Sequence, residues 1–128
     1  MLRPFHSATK GFAEGRDTPT AYLDRCLAAI DAREAEIGAF VHLNVHGALE
    51  AAARSDARWK AGKPLSAIDG MPVGIKDIYE TVDMPTGMGS PIYTGWRSHR
   101  DSAVVAALRE AGAVVLGKTV TTEFAATL

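Results

Sequence analysis

Lys76 is the residue whose type and setting could do chemistry. It closes the run Asp-Gly-Met-Pro-Val-Gly-Ile-Lys-Asp at residues 69–77. An apolar strand here is expected to carry the lysine into the interior. A buried ammonium without a facing charge is costly, and desolvation lowers its pKa toward values at which the neutral amine acts as a base. The bland alternative is a lysine at a strand end with its amine in water. Side chains alternate across a strand, so Lys76 shares a face with Gly74 while Ile75 and Asp77 take the other. Asp77 is therefore expected not to pair with its neighbour. Gly70 and Gly74 leave room for close backbone approach.

The other candidates are weaker. Gly112 to Thr119 matches the phosphate-loop pattern G-x-x-x-x-G-K-[ST]. A phosphate loop needs its middle residues curled, with free N–H groups, and a helix after it. Here the middle is Ala-Val-Val-Leu, which is strand-like, and Val120, Thr121 and Thr122 are poor helix starters. A helix end followed by a buried strand is the better reading. His6, His42, His46 and His99 form no metal-ligand pattern, since no H-E-x-x-H surrounds the pair four apart. Cys26 lies on an apolar stripe and reads as core. Arg97, His99 and Arg100 read as a solvated loop.

The elements that must position Lys76 can be traced outward from it. Residues 1–17 show weak periodicity and suggest loop with at most a short helix. Thr18-Pro19 has the form of a helix start, threonine as cap and proline in the first turn. Leu23, Cys26, Leu27 and Ile30 follow as one buried stripe, and Gly38 is a plausible stop. Residues 39–43 form a short extended piece. A second helix with a small alanine face, Ala48, Ala52, Ala53 and Ala57, runs to about Lys60 before Gly62 and Pro64 break it. The strand of Lys76 begins at Pro72, where a missing N–H matters least. Residues 83–100 form a long Gly/Pro/Ser/Thr-rich loop, of a kind that is often functional. Asp101 or Ser102 caps a third helix, with Val104, Val105, Leu108 and Ala111 inward and Gly112 as stop. Residues 113–116 make a second buried strand. A strand–crossover–strand of this length favours parallel pairing in an α/β sheet. Two strands fall short of the roughly five or six of an ordinary sheet, so residues 1–128 are expected to be a single incomplete domain.

Composition bounds the function. The 128 residues are 47% hydrophobic and 23% charged, with a formal net charge of -1. That balance is globular and gives no basic field for direct nucleic-acid or membrane binding. No apolar run reaches the roughly 20 residues of a membrane helix. The single cysteine fits a reducing cytoplasm.

Several blocks together resemble the N-terminal part of the amidase signature enzymes. They are Gly-Met-Pro-Val-Gly-Ile-Lys-Asp at 70–77, Met-Pro-Thr-Gly-Met-Gly-Ser at 84–90, Asp-Ser-Ala-Val-Val at 101–105, Gly-Ala-Val-Val-Leu-Gly-Lys-Thr at 112–119 and Glu-Phe-Ala at 123–125. The resemblance implies an α/β/α fold with a mixed, largely parallel sheet between helices. It implies hydrolysis or transfer of a small-molecule carboxamide by a Ser–cis-Ser–Lys triad, with no metal and no organic cofactor. Lys76 matches the triad lysine, the base that acts through the cis-serine on the nucleophilic serine. The resulting acyl-enzyme is resolved by water or another amine. Residues near Gly89 and Ser90 fall in a matched loop that could contact substrate, although nothing identifies Ser90 as the nucleophile. No Gly-Gly-Ser-Ser-Gly-type run occurs in these 128 residues. The two serines and the oxyanion donors are therefore expected beyond residue 128, and the chain alone is expected to be inactive. Asp83 stands where the family commonly has glycine. Three functional readings stay open: an amidohydrolase missing its C-terminal portion, an amidotransferase subunit that makes ammonia from glutamine with partner subunits, and a non-catalytic piece that binds or assembles. An incomplete sheet edge would favour a partner chain or a homo-oligomer.

Overall fold

Pro72–Lys76 forms strand β2, between Phe40–Leu43 as β1 and Val114–Thr119 as β3 in chain order. In the computed structural model, which describes residues 4–126, these pair in the spatial order β1-β3-β2. β2 runs parallel to β3, as the crossover length predicts, and β1 runs antiparallel to it. The sheet is mixed. The extended piece at 39–43 is thus a strand in its own right, recruited because β3 has a free edge that its backbone N–H and C=O groups can satisfy.

Helices accompany this sheet, some packed on it and some on other helices. They are α1 (Phe5–Ala13), α2 (Pro19–Asp31), α3 (Glu34–Ile37), α4 (Val45–Lys60) and α5 (Ala103–Glu110). The expected start of α2 is met: Thr18 Oγ1 accepts from the Ala21 N–H at 3.1 Å, and Pro19 sits in the first turn. The helix ends earlier than Gly38, at Asp31. Gly38 instead closes α3 with φ 61°, a left-handed conformation that suits glycine.

β3 is buried on both faces, which is why it reads as a continuous apolar run. On one side Val114 and Leu116 pack with Leu23 of α2 and with Ala48 and Ala52 of α4. The alanines let the α4 backbone approach closely. On the other side Val115 packs with Ile75, Met84 and Val105. Truncating fully enclosed Leu23 to alanine should cost about 2–5 kcal/mol.

The pairing of β2 with β3 contains a bulge. Val73 pairs with Val115, but Gly74 pairs with Gly117, which leaves Leu116 as an extra residue. Beyond the bulge, Ile75 pairs with Lys118 and Lys76 with Thr119. Strict alternation would put Val115 and Lys118 on opposite faces. The bulge brings them to the same one.

Two expectations are corrected. The N-terminal segment is a nine-residue helix rather than mostly loop. Phe5, Ala8 and Phe12 recur at helical spacing and pack with Tyr22 and Trp59, and this burial outweighs the helix-weakening Gly11. Val104 of α5 is exposed, and Val105 and Leu108 carry the buried stripe. Ser102 occupies the cap position of α5 without a side-chain bond to the helix. Asp101 is engaged elsewhere, accepting from the Val82 N–H at 2.8 Å and pairing with Arg109 at 2.9 Å.

Candidate functional site

The strand sends its last two charged residues to opposite sides, as alternation requires. Lys76 is exposed, together with Gly74, and Asp77 is buried. Among the described residues the Lys76 amine has no hydrogen bond or ion pair. The expected absence of a Lys76–Asp77 pair is therefore met, whereas the expected burial of Lys76 is not. Its face of β2 is open at the strand's end, with no described element laid over the amine. A Cβ at Gly74 would stand 2.8 Å from Thr119 Cγ2, so only glycine lets β3 and Phe40 approach that side.

A different lysine is carried into the interior. Lys118 is fully enclosed, and its ammonium uses its three donors on Asp77 Oδ1 at 2.8 Å, Thr86 Oγ1 at 2.9 Å and the Pro85 carbonyl at 3.1 Å. Lys118 is the lysine of the phosphate-loop match. The structure places it in the middle of an extended strand, its amine consumed, and disposes of the nucleotide reading. A signal for this pair is present in the sequence. A lysine inside an apolar strand needs a buried carboxylate, and Asp77 is a carboxylate that alternation directs to the face away from Lys76.

Asp77 joins several segments. Its second carboxylate oxygen accepts from the Gly87 N–H at 3.1 Å, and its carbonyl accepts from the Met88 N–H at 2.9 Å. Its own N–H donates to the Thr119 carbonyl at 3.0 Å. The Met88 carbonyl in turn accepts from the Phe124 N–H at 2.8 Å. The loop after β2 is thereby tied to the end of β2 and to the segment after β3. Gly89 is required where it stands: its φ is 65°, and a Cβ there would meet the Thr121 carbonyl oxygen at 2.7 Å.

Ser90 is buried, and its hydroxyl donates to Glu123 at 2.7 Å. Gly89 and Ser90 line an open depression of about 440 Å³ together with His42, Asp77, Gly87 and Thr94. Asp77, not Lys76, is the residue from the end of β2 that lines it.

A second buried carboxylate sits at the other end of β2. Asp69 is enclosed and accepts from Ser55 at 2.7 Å, from Arg58 at 2.7 and 2.6 Å, and from the Leu65 N–H at 2.8 Å. Burial pushes its carboxyl up, but Arg58, the Leu65 N–H and the Ser55 hydroxyl together outweigh that and hold it below the ordinary 3.8. Gly112, with φ 91°, is packed so tightly here that a Cβ would come within 2.6 Å of Asp69 Oδ1. Asp83 pairs with Arg109 at 2.8 Å and accepts from the Asn44 amide at 2.9 Å, a use for the acid at that loop position. Burial pushes the Cys26 thiol up, in keeping with a packing role.

A family model described as Amidase matches residues 21–128. The chain belongs to the amidase family. Curated relatives of this amidase chain include a glutamyl-tRNA(Gln) amidotransferase subunit from Salinispora arenicola, 45% identical over 91% of the chain. The chain spans 23% of that relative's length. Among solved structures, the native peptide amidase from Stenotrophomonas maltophilia matches with a TM-score of 0.80 and 34% identity, over 94% of this chain and 25% of the other. A chain from a vestigial protein complex tied to the origins of an s-triazine catabolic enzyme matches with a TM-score of 0.88 and 29% identity, over 95% and 27%. The mixed α/β architecture expected from the amidase signature resemblance is the one observed. No described helix is long and apolar enough to cross a membrane.

Proposed function

We propose that this chain supplies the lysine base of a Ser–cis-Ser–Lys amidohydrolase acting on a small-molecule carboxamide, and that Lys76 is that base. The observation that carries the reading is the division of charge at the end of β2. Asp77 is consumed by Lys118 on the closed face, and Lys76 is left unpaired on the open one. A base must present a free lone pair to its proton donor, and a lysine locked to a carboxylate would be held as the ammonium. Membership of the amidase family and the match of Lys76 to the family's triad lysine support the assignment.

In this reading the Lys76 amine takes the proton of the cis-serine hydroxyl as that hydroxyl takes the proton of the nucleophilic serine. The serine oxygen bonds to the amide carbon, and backbone N–H donors receive the negative charge on the carbonyl oxygen. Collapse breaks the C–N bond, the proton passes to the leaving amine, and water then releases the acid. Residues 4–126 supply only the base and its mounting. The proposal places the two serines in a Gly/Ser-rich segment, and no Gly-Gly-Ser-Ser-Gly-type run occurs in these 128 residues. A cytoplasmic setting, which the single cysteine favours, belongs to the same proposal.

The test is a hybrid in which residues 21–128 replace the matching segment of the Stenotrophomonas maltophilia peptide amidase. Lys76→Ala should lower its kcat by about 10²- to 10⁴-fold at unchanged melting temperature. Lys76→Arg should do the same, because guanidinium stays protonated. Turnover near that of the unsubstituted hybrid in either variant overturns the assignment.

A second reading is favoured by the names of the curated relatives, which are amidotransferase subunits. The chain would then belong to a glutamine-using subunit that works with partner chains. Co-purification of defined partner subunits with the tagged protein supports it, and a pull-down that finds none counts against it.

A further inference from the structure

We propose that Lys118 and Asp77 act as a positioning pair that sets where the Lys76 amine stands relative to its proton donor. The inference rests on Lys76 being the base.

Among the described residues the Lys76 amine has no hydrogen bond or ion pair to hold it, so its placement depends on its backbone. The Lys76 carbonyl accepts from the Ile78 and Tyr79 N–H groups at 2.8 and 3.0 Å, which shapes the turn after the strand, and three further bonds converge on Asp77 and anchor that turn to its neighbours. The Asp77 N–H is held by Thr119, its carbonyl by Met88 and its carboxylate by Gly87. The carboxylate is in turn held by Lys118, which reaches it only because the bulge at Leu116 turns the lysine to that face. The Lys118 ammonium also binds the Pro85 carbonyl and Thr86 Oγ1, so one buried cation ties β2, β3 and the start of the glycine-rich loop together. Thr86 and Lys118 are fully enclosed, and neither touches the open face on which Lys76 stands.

A merely structural pair would be replaceable. Buried ion pairs exchanged whole for apolar residues of similar size often leave stability unchanged or improved. An apolar pair would restore the packing but would not hold Gly87 or the loop carbonyl. Stability and positioning therefore come apart in one variant, Asp77→Leu with Lys118→Met.

The test uses the hybrid amidase described above, with Lys76→Ala as the control that the base assignment itself must pass. The double variant is expected to melt close to the unsubstituted hybrid. Its kcat should fall by about 100-fold, the scale of a misplacement near 1 Å, with KM within about threefold. A double variant that folds and turns over like the unsubstituted hybrid, while Lys76→Ala is inactive, overturns the positioning role and spares the base. A rise in KM at unchanged kcat also overturns it, since that marks a substrate wall. An active Lys76→Ala removes the base assignment, and the inference falls with it. Should the double variant not fold, Thr86→Val decides: it keeps the shape and removes one ammonium partner. A several-fold loss of kcat at unchanged KM supports the inference, and unchanged kcat overturns it.

Discussion

Lys76 and Lys118 occupy neighbouring rungs of one parallel strand pair yet meet opposite environments. Lys118 pairs in register with Ile75, and Lys76 pairs with Thr119, one step along. Lys118 is enclosed and spends every ammonium donor on a partner, one of them the carboxylate of Asp77. Lys76 is exposed and spends none on the described residues. Residue type does not separate them. The difference comes from pleat parity plus a single bulge, which together decide which lysine meets a carboxylate. A strand end can thus hold a structural cation and a free amine on adjacent rungs, because the sheet itself keeps them on separate faces.

The largest expected effect comes from breaking the open face alone. Lys76→Ala should remove most catalysis in the hybrid amidase, and in the chain itself, where the residue is exposed, it should change stability by no more than about 0.5 kcal/mol. Breaking the closed face by one residue should do the reverse to stability. Lys118→Met leaves Asp77 buried without its cation, and such uncompensated charges cost about 3–5 kcal/mol in denaturant melts. A loss under about 1 kcal/mol would mean that water reaches Asp77.

Asp69 sharpens the comparison from the other end of the strand. Its carboxyl is held below the ordinary 3.8 by Arg58, Leu65 and Ser55 against the opposing effect of burial. The sign follows. A depressed folded-state pKa gives stability that is fully present above 3.8 and is lost as pH falls through the folded value. Asp69→Asn should therefore destabilise the protein at neutral pH and flatten the acid limb of its unfolding profile. An unchanged acid limb would show that other carboxylates control it. The smallest effect belongs to a site remote from both lysines. Thr18→Ala removes the α2 cap bond and should cost about 1 kcal/mol without altering the contrast in lysine exposure.

The sequence is legible wherever the physics is local. The Thr18 cap, the opposite faces of Lys76 and Asp77 and the strand inside the phosphate-loop match each follow from a few adjacent residues, and the parallel crossover follows from the length of chain between two strands. What the sequence hides is non-local. Asp77 finds Lys118 across 41 positions, a pairing that residue type and alternation signal without fixing, and the bulge that turns Lys118 inward is marked only by the glycines Gly74 and Gly117 beside it. The exposure of Lys76 is hidden for a related reason. Burial depends on what covers a face, whereas alternation says only which face it is. The α1 helix is obscured by Gly11 and revealed by packing with Trp59, far along the chain.

The central claim, that the sheet locks Lys118 and frees Lys76, is tested most directly by pulse acylation of native lysine amines with acetic anhydride, read by peptide mass spectrometry. Lys76 should label at the rate of an exposed surface lysine, and Lys118 should stay unlabelled until the protein unfolds. Equal labelling of the two amines in the native protein would contradict the account.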